Sequence, residues 1–418
     1  MLNKKGFRDA RILITGITGF VGPHLAKSLL ADGATVYGLV RRRSDGNLSR
    51  GLADVGIENQ VRVLEGSVED LTSLLSAFDR SEPEYVFHLA SQSFVERSFA
   101  NPLETFQTNA TGTINLLEAM RIKDSLNSRF VFAGSSEEYG MVVSSATQLD
   151  RLEKAGKAVF PPPARVPELP VKEVNPLRPL SPYAVTKVYG ENITLNFQRS
   201  YGLNGLVTRS FNHEGARRGG MFVTSVIAKQ VMRFKYRESD QILLGNVDAF
   251  RDWSHVEDII DGYKLAALGG TAGDVYNLGS ERTNSVLTYL LWAINAIGFH
   301  TNKLNTLTGG KRIEDPDSKL VVNKFGRRLL MSKVDHMLLE GEIEFGLKDK
   351  GIKLDLGERK INVEFDPTRF RPADVPLLLC DASKAKRNLG FKPTHSVMDI
   401  IKGQLNHYAV PETRRLPG

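Results

Sequence analysis

Cysteine and tryptophan are scarce: among 418 residues there are one Cys, Cys380, and two Trp. A single cysteine excludes an internal disulfide framework, so packing alone must hold the chain, and a reducing compartment, the cytoplasm, is expected. Equally missing is an apolar run near the roughly 18 to 20 residues of a membrane span. The opening MLNKKGFRDA passes into a strand pattern without the apolar stretch of an export signal. Neither spanning nor export is expected. Charge of one sign is also in short supply, 55 Lys and Arg against 48 Asp and Glu, a net +7. That mild excess suits anionic ligands, nucleotides as well as nucleic acid. The basic residues are dispersed, however, without aromatic interleaving or a nucleic-acid module, which argues against nucleic acid. The last absence is local. The second strand pattern runs into LVRRRSDG, with no acid where NAD enzymes hold the adenosine ribose.

What the chain does contain is a globular profile, 41% hydrophobic and 25% charged, long enough for two domains. Its first half alternates strand and helix: RILIT at 11–15, a helix over 20–31, TVYGLV at 35–40, VRVLEG at 61–66, a helix from Asp70, YVFHLA at 85–90, a helix over 103–122 and RFVFAGSS at 129–136. That order predicts an α/β fold, a Rossmann-type doubly wound parallel sheet whose strand ends carry the ligand site. Eight of the 18 prolines fall in 161–182, so 141–181 reads as a long ordered loop or lid. Beyond GLVTRSF at 205–211 the elements shorten, with a helical stretch at 221–238 and hairpins expected in 301–366. The predicted division is 1–210, with return segments near 255–280, and a smaller interleaved α/β substrate domain over 211–418.

GITGFVG sets Gly16, Gly19 and Gly22 between a buried strand and a helix, where glycine lets backbone approach a pyrophosphate held by the helix N-terminus. Thr18, Phe20 and Val21 of the same turn, with Leu89 and Ala90 at the fourth strand's end, complete the cofactor wall. Arg41, Arg42 and Arg43 take the place of the missing acid; their forks match a 2′-phosphate, so NADP is expected over NAD. The alternative is a solvated basic loop. GSVED at 66–70 is expected beside the adenine, with Asp70 as a helix cap.

Tyr183 and Lys187, in SPYAVTKVYGE, stand at i and i+4 on one helix face, so the ammonium can favour a phenolate and yield a base near neutral pH. A surface helix pair is the bland reading of YxxxK; the glycine loop and the Ser135, Ser136, Glu137 cluster at the fifth strand's end outweigh it. Ser135 can share an alcohol's proton with Tyr183, and the Glu137 carboxylate can move a second proton, which argues for elimination rather than simple dehydrogenation or epimerisation. His213 and His255 lack a second ligand at metal spacing and read as structural, so no metal is expected. His88 falls inside the fourth strand.

These residues together resemble the extended short-chain dehydrogenase/reductases acting on nucleotide sugars. FNHEGARRGGMFVT at 211–224, LGNVDAFRDWSHVEDI at 244–259 and FDPTRFRPADVPLLLCDASKAKRNLGFKP at 365–393 are similar to the GDP-mannose 4,6-dehydratase family, over most of the chain outside 141–175 and 301–364. The resemblance implies NADP, a nucleotide sugar such as GDP-mannose, and a homodimer or homotetramer. It also implies Tyr183 as base with Lys187 as activator, Ser135 in place of the family's threonine, Glu137 as elimination acid/base, Ser136 and Asn212 at the substrate, and Arg218, Arg251 and Arg371 along its diphosphate and ribose. In this family the arginine-rich loop reaches a neighbouring subunit's cofactor. Three departures stand out: Ser135 itself, Ser67 where an adenine-facing Asp is common, and Glu138 where an apolar residue is usual. The alternatives are an epimerase or decarboxylase on the same scaffold and a non-catalytic NADP-binding protein.

Overall fold

The structure, a computed structural model, describes residues 6–42 and 50–415. Arg43 lies outside the described residues. Seven strands form one parallel sheet: β1 (Arg11–Thr15), β2 (Thr35–Val40), β3 (Arg62–Glu65), β4 (Tyr85–His88), β5 (Arg129–Ser135), β6 (Gly205–Ser210) and a seventh, Val275–Leu278. In space the seventh strand comes first, then β6, β5, β4, β1, β2 and β3. Ile12 of β1 sits in register between Val36 and Tyr85. Helices cover both faces, so the strands are apolar nearly throughout rather than alternating, and β5 is buried at all seven positions. Strand order reverses between β1 and β4, and connections leaving in opposite directions open a crevice at their carboxyl ends.

Helix boundaries follow the capping signals. Asp70 accepts from Thr72 N at 3.0 Å and Ser73 N at 3.2 Å and so opens Leu71–Ser81 as expected. Ser181 accepts from Ala184 N at 3.1 Å, Pro182 follows at the first helical position, and Gly202 ends Pro182–Tyr201 at φ 75°. Those caps fix the register that presents Tyr183 and Lys187. The helix expected over 103–122 is not continuous. It runs Pro102–Phe106, widens into a π-helical turn at Gln107–Thr111 and resumes at Gly112–Ile122. The widened turn holds Asn109 buried, where it accepts from Gln92 N at 2.7 Å and donates to Thr186 Oγ1 at 2.9 Å. Polar bonds to two other segments account for a break that periodicity could not show.

A second core gathers the helices Val223–Lys235, Val286–Ala296 and Val397–Ala409 around Trp253, Leu290 and Ile400. A five-stranded sheet completes it, ordered Arg312–Glu314, Lys303–Thr306, Gly351–Asp355, Lys360–Phe365, Gln241–Leu244. The hairpins expected in 301–366 are present, including Lys319–Lys324 with Arg327–Ser332, whose two turn residues Phe325 and Gly326 both have positive φ. Besides residues 256–278, Val375–Cys380 and the helix Ser383–Leu389 return to the first core. The 141–181 segment is ordered, with a helix at Ala146–Lys154 and a buried fork from Arg178 to Glu168 at 2.7 and 2.8 Å.

Candidate active site

A cavity of about 1620 Å³ opens across the carboxyl ends of the parallel strands. One drug-sized ligand needs roughly 300–1,000 Å³, so the space suits a dinucleotide and a second ligand together. Every candidate residue read from the sequence within the described residues lines it: Gly16, Thr18, Gly19, Phe20, Val21, Gly22, Arg41, Arg42, Leu89, Ala90, Ser135, Ser136, Glu137, Tyr183, Lys187, Asn212, Arg218, Arg251 and Arg371. Neither insertion does: no residue of 141–175 or 301–364 is on the wall. The lid expected in 141–181 instead packs away from the cavity, held by its own buried ion pair and by Val171 bridging to Cys380.

At the glycine loop, Gly16 has φ 71°, and a Cβ there would stand 2.6 Å from Ala90 N. At Gly22 it would stand 2.5 Å from Ile17 Cα and 2.6 Å from Gly16 O. Only glycine lets these segments meet. Phe20 precedes the helix Val21–Ala31 without a side-chain cap, which leaves first-turn N–H groups directed at the cavity as an anion site. Arg41 and Arg42 leave β2 exposed at the rim, and Gly66, Ser67 and Glu69 form the adjoining wall. These parts fit a dinucleotide: a backbone cradle, a helix terminus for the pyrophosphate and cations beyond the ribose position.

Ser135 ends β5 and starts a tight turn, accepting from Glu137 N at 3.2 Å while Glu137 itself lines the cavity. The Ser135 hydroxyl hydrogen-bonds the Tyr183 phenol. Lys187 is buried, its Nζ 5.8 Å from the Tyr183 ring centroid and donating to Ala133 O at 2.8 Å. The expected phenolate near neutral pH is corrected here. Burial pushes the Tyr183 hydroxyl up, the Ser135 bond opposes it, and the charges of Glu137 and Glu138 add to the rise. Burial also lowers Lys187 to about 8, against an opposing pull from Glu138. The ammonium gives one of its N–H groups to a carbonyl, and burial leaves the Tyr183 proton held more tightly than usual in this chain alone.

Across the cavity, Asn212 Oδ1 is buried without a hydrogen-bond partner while its carbonyl accepts from Ser254 N at 2.8 Å. An orphaned acceptor on a cavity wall is what a ligand hydroxyl would satisfy. The Arg218 guanidinium lies 3.5 Å over the Phe222 ring and 3.3 Å from Glu214. Arg251, expected along the diphosphate and ribose, is already engaged: it donates to Asp374 at 2.8 Å, to Phe250 O at 3.0 Å and to Val375 O at 2.6 Å. Arg371 reaches the same Asp374 oxygen at 3.5 Å. Burial pushes Asp374 up, yet Arg251 and Arg371 hold it below the usual carboxylate range overall. Asp374 escaped the sequence reading although it lies in RPAD, two residues from a proline, because nothing local marks an acid as the hub of two arginines.

The histidines behave as the sequence suggested in part. His88 is buried in β4 between Thr15 Oγ1 at 2.7 Å and Thr113 Oγ1 at 2.9 Å, and burial lowers it to about 3. His213 bonds Phe211 O at 2.9 Å and stacks on Phe20. His255 and His395 do approach Glu257, with possible ligand atoms within 4.8 Å of one another. Their rings stack at 4.2 Å and 19°, however, and a metal must lie in the plane of each imidazole. Two nearly parallel planes share no point at bonding distance.

The sequence profile described as the NAD dependent epimerase/dehydratase family matches residues 12–279, and that of GDP-mannose 4,6 dehydratase matches residues 330–404. A GDP-mannose 4,6-dehydratase of Sinorhizobium fredii is 31% identical over 393 residues, covering 93% of each chain. One from Vibrio cholerae is 32% identical over 399 residues, covering 93% of this chain and 91% of that one. Among solved structures, RMD from Pseudomonas aeruginosa complexed with NADPH has a TM-score of 0.64 at 21% identity, over 96% of this chain and 99% of that chain. A dTDP-glucose 4,6-dehydratase from Streptomyces venezuelae has a TM-score of 0.62 at 21% identity, over 95% and 96%. Likeness at that identity speaks for the fold, and the profile match with the sequence relatives speaks for descent: the chain belongs to the NAD dependent epimerase/dehydratase family.

Proposed function

We propose that the protein is an NADP-dependent GDP-mannose 4,6-dehydratase that forms GDP-4-keto-6-deoxymannose in the cytoplasm. The observation that carries this reading is a second acid, Glu137, on the same cavity wall as Ser135, Tyr183 and Lys187. Alcohol oxidation needs one base; loss of water needs a further group that takes one proton and gives another. The glycine loop, Leu89 and Ala90 would hold the dinucleotide, with Arg41 and Arg42 at the 2′-phosphate. NADP held there would supply the acceptor for hydride from C4 of the sugar and, reduced, the donor of that hydride to C6.

The chain's own residues move the protons. Tyr183, steadied by Ser135 and ionised beside the Lys187 ammonium once cofactor and substrate are bound, accepts the proton of the 4-hydroxyl. A C4 ketone makes C5–H acidic, and Glu137 removes that proton. The same carboxyl, now an acid, protonates the departing 6-hydroxyl, and as hydride adds to C6 the proton taken up by Tyr183 goes to C5, which restores the base. Asn212 and Arg218 orient the nucleotide sugar, while Arg251 and Arg371 present Asp374 and the remaining guanidinium faces to its ribose and diphosphate. In this proposal residues 1–210, with the return near 255–280, hold NADP, and 211–418 hold the sugar nucleotide. Exposed Leu103, Phe106 and Val185 on neighbouring helices support a homodimer or homotetramer.

Incubating the protein with NADP and a panel of GDP-, UDP- and dTDP-hexoses, and weighing the products, tests the reading. Dehydration removes one water from GDP-mannose; an unchanged mass with an altered epimer shifts the reading to an epimerase, and loss of carbon dioxide from an NDP-uronate to a decarboxylase.

A further inference from the structure

Glu138 follows the proposed acid/base and does not line the cavity. It is nevertheless built into the centre of the site. Its side chain is fully buried, and Oε1 accepts from Ser135 N at 2.6 Å. Space for that carboxyl is made by Gly134, where a Cβ would stand 2.6 Å from Glu138 Oε1 and 2.9 Å from Thr208 O. The other oxygen, Oε2, accepts from nothing.

The cation that forms an ion pair with it, Arg209, is already engaged. Arg209 of β6 donates to both oxygens of Glu191 at 2.8 and 2.6 Å, to the Tyr139 hydroxyl at 2.8 Å and to Glu173 O at 2.9 Å. Its Nε remains 3.7 Å from Glu138 Oε2. Two buried carboxyls therefore share one guanidinium that is bidentate to only one of them, and an unpaired buried charge costs more than a buried neutral acid. Glu191 stands within hydrogen-bonding reach of the Glu138 carboxyl, so a proton on Glu138 allows a bond between the two. Around the pair stand Tyr183, Lys187 and Glu191 on Pro182–Tyr201, Arg209 on β6, Glu137 and Tyr139 on the turn, Glu173 on the following loop and Tyr263 on Val256–Gly269.

We propose that Glu138 is a positioning residue of the active site: as the neutral acid, bonded to Glu191 through one oxygen and to Ser135 N–H through the other, it fixes Ser135 against Tyr183 without adding charge beside the phenol. Burial, followed by the charge of Glu191, raises its carboxyl well above the usual range, with Arg209 opposing. Ionised, Glu138 would make the Tyr183 proton harder to remove. The inference rests on the dehydratase reading for Ser135 and Tyr183, but not for the protonation of Glu138.

Two substitutions and two readouts test it. Glu138→Gln keeps an acceptor for Ser135 N–H and a donor for Glu191 while it cannot ionise; Glu138→Leu keeps neither. On GDP-mannose with NADP, Glu138→Leu is expected to lower kcat about tenfold, roughly one hydrogen bond, with KM unmoved. Glu138→Gln should recover most of that loss and hold its activity further into alkaline pH than wild type. Without substrate, thermal unfolding across pH gives the second readout. A carboxyl whose folded pKa is raised loses stability as pH climbs from about 4.3, its unfolded value, to the folded one, by a factor of about ten per pH unit in the folding constant. The Tm of wild type should thus fall behind that of Glu138→Gln over that window and then run parallel. A Tm gap that does not change with pH, or a Glu138→Gln variant as slow as Glu138→Leu, overturns the proposal. Wild type inert on GDP-mannose with the widening Tm gap intact overturns the dehydratase reading and leaves the neutral acid standing.

Discussion

The two walls of the cavity are made in different ways. The cofactor wall is backbone: Gly16 and Gly22 let main chain approach main chain, and the uncapped start of Val21–Ala31 offers N–H groups. Its glycine cradle comes from one strand, turn and helix close in sequence, against which Leu89 and Ala90 pack. The opposite wall is side chain, with Asn246, Arg251, Arg371 and Asp374 knotted together from segments more than 100 residues apart. Backbone sites depend on what is missing, a Cβ or a cap, and tolerate little insertion of atoms. Side-chain sites depend on partners, and lose function by degrees as partners go.

The largest effect is expected between the walls, at the reacting groups. Tyr183→Phe should lower turnover by about 10²–10⁴, the worth of general acid/base catalysis, while cofactor titration by fluorescence stays as in wild type. Turnover near wild type would remove Tyr183 from the chemistry. Gly22→Ala probes the backbone wall: a methyl 2.5 Å from Ile17 Cα must displace the turn. A strain of about 1–3 kcal/mol amounts to roughly 5- to 150-fold in NADP affinity, readable by calorimetry, with NAD weakened alike. Asp374→Ala probes the side-chain wall. Losing a charge-assisted bond is worth about 1.5–3 kcal/mol, so KM for GDP-mannose should rise tenfold or more while NADP affinity holds; equal damage to both ligands would erase the distinction drawn between the walls. Smallest is Arg42→Ala, an exposed cation worth at most ~1 kcal/mol, which should weaken NADP about fivefold and NAD hardly at all. If NAD suffers equally, the basic loop does not read the 2′-phosphate.

Much of the cofactor wall was legible because local sequence governs it. RILIT, GITGFVG and the caps Asp70 and Ser181 each specify their geometry within a few residues, and the structure keeps them with shifts of one or two positions. The π-helical turn at Gln107–Thr111 was not legible, since its cause is the bonding of Asn109 to Gln92 and Thr186 on other segments. Of the loop-or-lid reading of 141–181, the ordered loop is present while no part of it lines the cavity: proline density shows irregular chain but not the side on which it packs.

Sequence by itself determined the parallel sheet, the glycine cradle and the spacing that sets Tyr183 above Lys187, because strand burial, positive φ and helical period are properties of short stretches. Tertiary structure alone decided the charges. That Lys187 donates to Ala133 O, that Arg251 is closed by Asp374, and that Glu138 and Glu191 share one Arg209 follow from groups brought together across 54, 123 and up to 71 positions of chain. Electrostatic character in a buried site depends on distance and dielectric, and neither is written in the order of residues.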